Sequence, residues 1–417
     1  MFNKIAIHRF LIFIVLVVLN IIQTKVECQT LELYIKTGIK NSPLLKNFNN
    51  QLLSFGIDSS IIKAGRKPVI NLSSQAIYAP SSKDFGYDYA ITNGGNYSAL
   101  LNVTQPILYN QINRARLQAL SVSGQSLLAN IKISENDLKK NITEHFLTAF
   151  ADYSRIQSYK TILKLLQDQQ LLLKQLVNNG VYLATDIINL ILSIKSQEIS
   201  IKQAFIQYKN DLGTLNFICG ITDTSTIILQ NPQIVLQNDF NINNSPLMMQ
   251  FRIDSLKNIT DKFLIDVNYK PHLNSFADVG FNAIIPKNIP DNFGGSIGLN
   301  FTIPIYDGRQ RQLQHNKITL NENTRINQIE FYNKQFNQQR IQLTEQLKLT
   351  DDLISEIKNQ ISDQKHLINL YQIEIEKGLA RVIDFLTLVN NYSLTVINLT
   401  LSEIDRMQII NQMNYMK

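Results

Sequence analysis

Residues 294–304 read Gly-Gly-Ser-Ile-Gly-Leu-Asn-Phe-Thr-Ile-Pro. Ile297, Leu299, Phe301 and Ile303 alternate with Ser296, Gly298, Asn300 and Thr302. A period of two puts successive side chains on opposite faces, so this is a strand with one apolar and one polar face. The segment after Pro271 alternates too: Leu273, Ser275, Ala277, Val279 and Phe281 against Asn274, Asp278 and Asn282. The same pattern occurs earlier. Ile70, Leu72, Ser74, Ala76 and Tyr78 share a face, as do Tyr97, Ala99, Leu101 and Val103. Four strands are therefore expected, at about 68–79, 95–106, 271–284 and 294–304. Each is long enough to cross an outer membrane when tilted, which takes about 9–11 residues. The loops between them hold Gly, Pro, Asn and Asp. Phe85, Tyr87, Tyr89, Tyr97 and Phe293 cluster near the loop ends, and Tyr109 and Tyr306 mark the opposite ends. Aromatics at both boundaries match the girdles of a membrane interface.

Outward from these strands the period changes to that of a helix. No proline lies between Pro106 and Pro232 or after Pro304. From Tyr109 to Asn178 the one glycine is Gly124, and from Arg309 to Lys377 there is none. Leu138, Ile142, Phe146, Ala149, Tyr153 and Ile156 recur at three- and four-residue steps. Each stretch is expected to be one helix of about 70 residues, or roughly 105 Å. Coiled-coil-like packing is what stabilises such lengths in water. Gly180 and Gly378 end the stretches as C-terminal caps that turn the chain back. Leu31 to Lys63 and Thr185 to Asn216 are expected as shorter helices.

The same landmarks reveal a duplication. Ser42-Pro43-Leu44 precedes Pro68 by 25 residues, and Ser245-Pro246-Leu247 precedes Pro271 by 25. Gly180 follows Pro106 by 74 residues, and Gly378 follows Pro304 by 74. Asp186 and Asp384 each follow their glycine by six. The chain is two copies of one helix–strand–strand–helix–helix unit. The expected organisation is a signal peptide at 1–28, a first repeat at 29–220, an inter-repeat segment at 221–244 and a second repeat at 245–417.

Composition fits an exported protein. Of 417 residues, 44% are hydrophobic and 18% charged, and the net charge of +7 is spread along the chain, so nucleic acid is not indicated as a partner. Lys4 and Arg9 precede an apolar stretch at 10–22, and Val26 and Cys28 suit the small-residue positions of a cleavage site. Lipidation of Cys28 is the alternative, although Lys25 and Glu27 fit a lipobox poorly. No later run approaches the roughly 20 apolar residues of a spanning helix. There is no GxxxxGK[ST], HExxH, GxSxG or paired CxxC motif. The five histidines show no metal-ligand spacing. The sequence thus predicts no enzyme and no cofactor or metal site.

Four strands cannot close a barrel, because the smallest transmembrane barrels have about eight and lipid tolerates no open edge. Several copies must share one. The polar face suggests a water-filled lumen, which favours 12 strands or more.

These features resemble the TolC family of outer-membrane efflux and secretion ducts. The resemblance covers nearly the whole mature chain. It is carried by Asn41-Ser42-Pro43, Pro68, Gln105-Pro106-Ile107-Leu108-Tyr109, Pro304-Ile305-Tyr306-Asp307-Gly308-Arg309, the paired glycine turns and Leu212-Gly213-Thr214-Leu215-Asn216-Phe217-Ile218-Cys219-Gly220. It implies a mainly α fold with membrane β: a homotrimer whose 12-stranded β-barrel continues as an α-helical periplasmic barrel. It implies the outer membrane of a Gram-negative bacterium and recruitment by a periplasmic adaptor and an inner-membrane pump of ABC or RND type. The segment around Gln230 to Asn244 would belong to an equatorial belt. Gly180-Val181 and Gly378-Leu379 would be the turns that touch the adaptor. Asp384 and Asp186 match acids of the family's constriction and its network. Thr387 stands where a second acid is expected, and Ala380 where an arginine is, with Arg381 next to it. Alternatively, both aspartates simply favour helix N-termini. The remaining alternative for the whole chain is an exported, non-conducting coiled-coil protein of structural or adhesive type. The resemblance does not distinguish drug efflux from type I protein secretion.

Overall fold

The computed structural model describes residues 29–416 except 81, 83, 89–93, 224, 226 and 238–240. The expected signal peptide, with Cys28, lies outside the described residues, as does Tyr89. In chain order the elements are α1 (Leu31–Asn41), α2 (Pro43–Ala64), β1 (Val69–Tyr78), β2 (Gly95–Pro106), α3 (Asn110–Asn178) and α4 (Ala184–Cys219). There follow α5 (Pro246–Asn268), β3 (His272–Ala283), β4 (Phe293–Thr302), α6 (Gln310–Glu376) and α7 (Val382–Asn414). A 3-10 turn at Ile242–Asn244 precedes α5, and another at Pro286–Asp291 joins β3 to β4. The long helices α3 and α6 have 69 and 67 residues.

One expected helix is two. The stretch from Leu31 to Lys63 breaks at Ser42, whose ψ of 117° is not helical. The residue before a proline is pushed out of the α region. Pro43 also lacks the N–H that would continue the ladder. Ser42 then accepts the Leu45 N–H at 3.4 Å, as Ser245 accepts the Met248 N–H at 3.0 Å at the start of α5. Both Ser-Pro pairs are thus helix starts.

The chain forms two compact units, each drawing on both halves of the sequence. One comprises residues up to 45, 134–240 and 336–416; the other comprises 46–133 and 241–335. In the first, Leu31 and Tyr34 of α1 pack with Ile142, Phe146 and Ala149 of α3 and with Tyr208, Leu212 and Leu215 of α4. The Tyr34 and Phe146 rings meet edge-on with centroids 5.7 Å apart. Tyr34 Oη donates to Asn216 Oδ1 at 3.1 Å. Gly38 lets α1 approach α3, since a Cβ there would collide with Ile142 Cδ1. Cys219 is buried beside this contact, and burial pushes its thiol up to about 11, so it packs and is not reactive. A second cluster in the same unit joins Leu173 of α3 and Leu190 of α4 to Ile375 of α6 and to Val382, Phe385 and Val389 of α7. α7 is also long and apolar enough to cross a membrane by length and composition. Sequence reading found no such run. Val382, Phe385, Leu386 and Val389 of this helix face the core.

The second unit holds a four-stranded antiparallel sheet of order β1-β2-β3-β4. Small clusters, such as Ile112 and Ala115 of α3 with Val267 of α5, pack beside its strand-to-helix junctions.

Candidate functional site

The register sorts the sheet into two faces. Leu72 pairs with Leu101, Leu101 with Val279, Ala277 with Ile297, and Leu273 with Phe301. The four alternating patterns therefore fall on one continuous apolar face. It is exposed: Leu72 is 78% accessible, Ile297 87% and Leu299 67%. On the other face Asn71 pairs with Asn102, and Asn274 with Asn300. Asn102 Nδ2 donates to Ser73 Oγ at 2.6 Å. Ile303 lies one residue beyond β4, because Pro304 has no N–H to extend the ladder. Val69, Ile77, Leu100 and Phe276 depart from the polar pattern. Phe276 covers Gly298 across the β3–β4 pair, where a Cβ would lie 2.5 Å from its Cζ. Hydropathy alone gave no sign of that pairing, which needs the register. β1 and β4 are the sheet's edges; β1 is exposed along its whole length, and β4 is exposed except at Gly298, which Phe276 covers.

The glycine turns lie together in the other unit. Gly180 and Gly378 have φ of 72° and 71°. The N–H of Val181 reaches Leu176 O at 2.9 Å, and that of Leu379 reaches Glu374 O at 2.9 Å. Gly180 and Gly378 close the inner bonds at 3.0 Å each. Both turns are Schellman caps. Val181 and Leu379 are exposed by 48% and 75%. Tyr182 Oη donates to Ala380 O at 2.7 Å and so ties one turn to the other. Burial raises the Tyr182 phenol's pKa, which keeps this donor protonated. Tyr182 escaped the sequence reading, although it holds the same offset from Gly180 that Ala380 holds from Gly378.

The turns differ in their surroundings. Nothing lies within 4 Å of a Cβ added at Gly180, whereas one at Gly378 would stand 2.7 Å from Val181 Cγ1. Gly180→Ala should therefore cost about 1 kcal/mol from its left-handed backbone alone. Gly378→Ala carries that cost and must also displace Val181. Hydrogen exchange at the Leu379 amide should accelerate more in Gly378→Ala than the Val181 amide does in Gly180→Ala. Equal acceleration would show that the turns are not packed together.

The candidate acids follow at the third position of each helix. Asp186 accepts the Leu183 N–H at 3.1 Å, at the start of α4. Asp384 is held by Arg381, with Nε to Oδ2 at 2.8 Å and a guanidinium NH2 to Oδ1 at 2.9 Å. Asp384 raises the Arg381 pKa further through that pair. Thr387 Oγ1 donates back to Ile383 O at 2.8 Å. Both aspartates thus occupy favourable helix-start positions within their own chain.

An acid that sequence reading did not single out stands on α3. The Asp152 side chain is 5% exposed and lies 3.1 Å from the Arg155 guanidinium. Its Oδ2 has no partner when ionised. Burial, then hydrogen bonding to Asp211 of α4, pushes its carboxyl up to about 7 against the pull of Arg155. A protonated Asp152 can donate to Asp211; an ionised one cannot. Among the described residues no cluster of His, Cys, Asp and Glu suits a metal ion.

A sheet apolar on one face, polar on the other and open at both edges, joined to paired helices of nearly 70 residues that end in matched turns, defines the fold of the TolC family of outer-membrane channels. The chain superposes on VceC of Vibrio cholerae with a TM-score of 0.71 at 14% identity, covering 92% of this chain and 94% of that one. MtrE of Neisseria gonorrhoeae, solved in its open state, gives 0.69 at 10% identity, covering 92% and 88%. CmeC of Campylobacter jejuni gives 0.67 at 12% identity, covering 92% and 84%. All three are outer-membrane proteins, and MtrE and CmeC are described as channels. No protein-family model and no curated protein sequence matches the chain.

Proposed function

We propose that the protein is the outer-membrane duct of a tripartite export system in a Gram-negative bacterium. It conducts substrate passively from an inner-membrane pump, through the periplasm, to the outside. The sheet carries this reading. Its apolar face matches lipid, its polar face matches a water-filled lumen, and its edges call for neighbours. Adjacent strands are antiparallel, so β4 of one copy runs antiparallel to β1 of the next. Three copies close a 12-stranded barrel with no parallel seam. Ile297, Leu299, Phe301 and Ile303 then meet lipid. The repeats at 29–220 and 245–417 supply two strands each, and 221–244 forms the belt between them. Gly180, Val181, Gly378 and Leu379 form the surface that meets a periplasmic adaptor, which recruits a pump of ABC or RND type. Fractionation with outer membrane, a trimer in mild detergent and single-channel conductance in planar bilayers are the expected results. A monomer without conductance would refute the reading.

Asp384, Asp186, Thr387 and Arg381 are the candidates for the constriction. Three copies of Asp384 around one axis would attract multivalent cations. Arg381 offsets that field, because each carboxylate already carries a guanidinium. Block by a trivalent cation from the periplasmic side should therefore be weak in the unaltered protein. It should strengthen in Arg381→Ala and disappear in Arg381→Ala/Asp384→Ala. Identical block in all three would place the constriction elsewhere.

A further inference from the structure

Charge is distributed unevenly about the sheet. Within ten residues of the strand ends on the helical side, the chain carries nine Lys or Arg and two acids, Asp266 and Asp307. The β1–β2 and β3–β4 loops at the other end carry two Lys and three Asp. The two acids near the helices do not neutralise the basic group as a whole. Asp266 is engaged by Arg311 at 2.8 Å and by His315 at 2.8 Å. Asp307 accepts the backbone N–H groups of Arg309 at 2.9 Å and Arg311 at 2.7 Å, at the start of α6. Arg66 and Lys67 lead into β1, and Lys270 leads into β3; all three are exposed. Lys270 Nζ contacts a neutral group, Gln111 Oε1, at 2.6 Å. Beside it opens a cleft of about 410 Å³ with an apolar wall of Ile107, Leu108, Ile112, Val267 and Pro271. This cleft adjoins the sheet where the β2–β3 pair ends, since Ile107 N donates to Leu273 O at 2.8 Å.

We infer that this basic collar and its cleft bind anionic phospholipid of the leaflet nearest the helices, with the headgroup at Lys270, Arg66 and Lys67 and an acyl segment in the cleft. The inference rests on the reading of the sheet as a membrane barrel. Basic side chains at a membrane surface are attracted to anionic lipid. An apolar slot beside a cation matches a molecule that is charged at one end and hydrocarbon at the other. The neutral to slightly acidic loops confine the preference to one leaflet.

The test is native mass spectrometry of the detergent-purified trimer, mixed with equal phosphatidylglycerol and phosphatidylcholine. Phosphatidylglycerol should be retained at least tenfold over phosphatidylcholine. Arg66→Gln/Lys67→Gln/Lys270→Gln should bring the two lipids to near-equal retention, while Lys287→Gln in the far loop should keep the preference. Conductance of the triple variant in phosphatidylcholine bilayers should match the unaltered protein, which would show that folding and assembly are intact. Equal retention by the unaltered protein, or a preference that survives in the triple variant, would overturn the inference and leave the channel reading standing. A protein that forms no trimer and conducts in no bilayer would overturn both.

Discussion

Leu299→Arg should prevent the protein from assembling in a membrane, whereas Asn300→Arg one residue later should assemble normally. Leu299 is 67% exposed on the apolar face, in the middle of β4. An arginine at the lipid midplane of a barrel costs about 2–4 kcal/mol. Three subunits would triple that to about 6–12 kcal/mol, comparable with the whole stability of a typical domain. Asn300 pairs with Asn274 on the polar face, where a charge meets water. Heat-resistant trimer in outer-membrane fractions is the readout. Equal yields of both variants would reject the assignment of faces.

The second large effect concerns pH. Asp152 is held protonated up to about 7 by burial and by Asp211. In the unfolded chain its carboxyl titrates near 4. The native state therefore binds the extra proton between these values, and stability must fall as pH rises from about 4 to about 7, then level off. Asp152→Asn imitates the protonated acid, because its amide can donate to Asp211 while its oxygen accepts from Arg155. Thermal melts of the variant should be flat across this window and, above pH 7, should lie above those of the unaltered protein. A variant that keeps the original slope would place the titration elsewhere.

Much of the fold could be read from proline and glycine. Pro68 and Pro271 mark the switch from helical to strand periodicity, and Gly180 and Gly378 mark the turns, because each residue imposes its local geometry regardless of context. The break at Ser42 was missed because apolar residues continue at helical spacing on both sides. The Arg381–Asp384 pair is a three-residue helical spacing and was within reach. The Asp152–Asp211 pair was not. It depends on the register of α3 against α4, which no local pattern encodes. Phe276 over Gly298 escaped for the same reason, since only the strand pairing brings them together.

Both compact units draw on both halves of the chain, and β2 pairs with β3 across the whole of α3 and α4, from Tyr97 to Ala283. Such distant pairings form late, because chain closure must precede any gain from contact. A ribosome that has released the first half of the chain has released no complete folding unit. The emerging polypeptide thus stays open until synthesis is nearly finished. A product truncated after residue 220 would retain β1 and β2 without β3, the strand that pairs with β2.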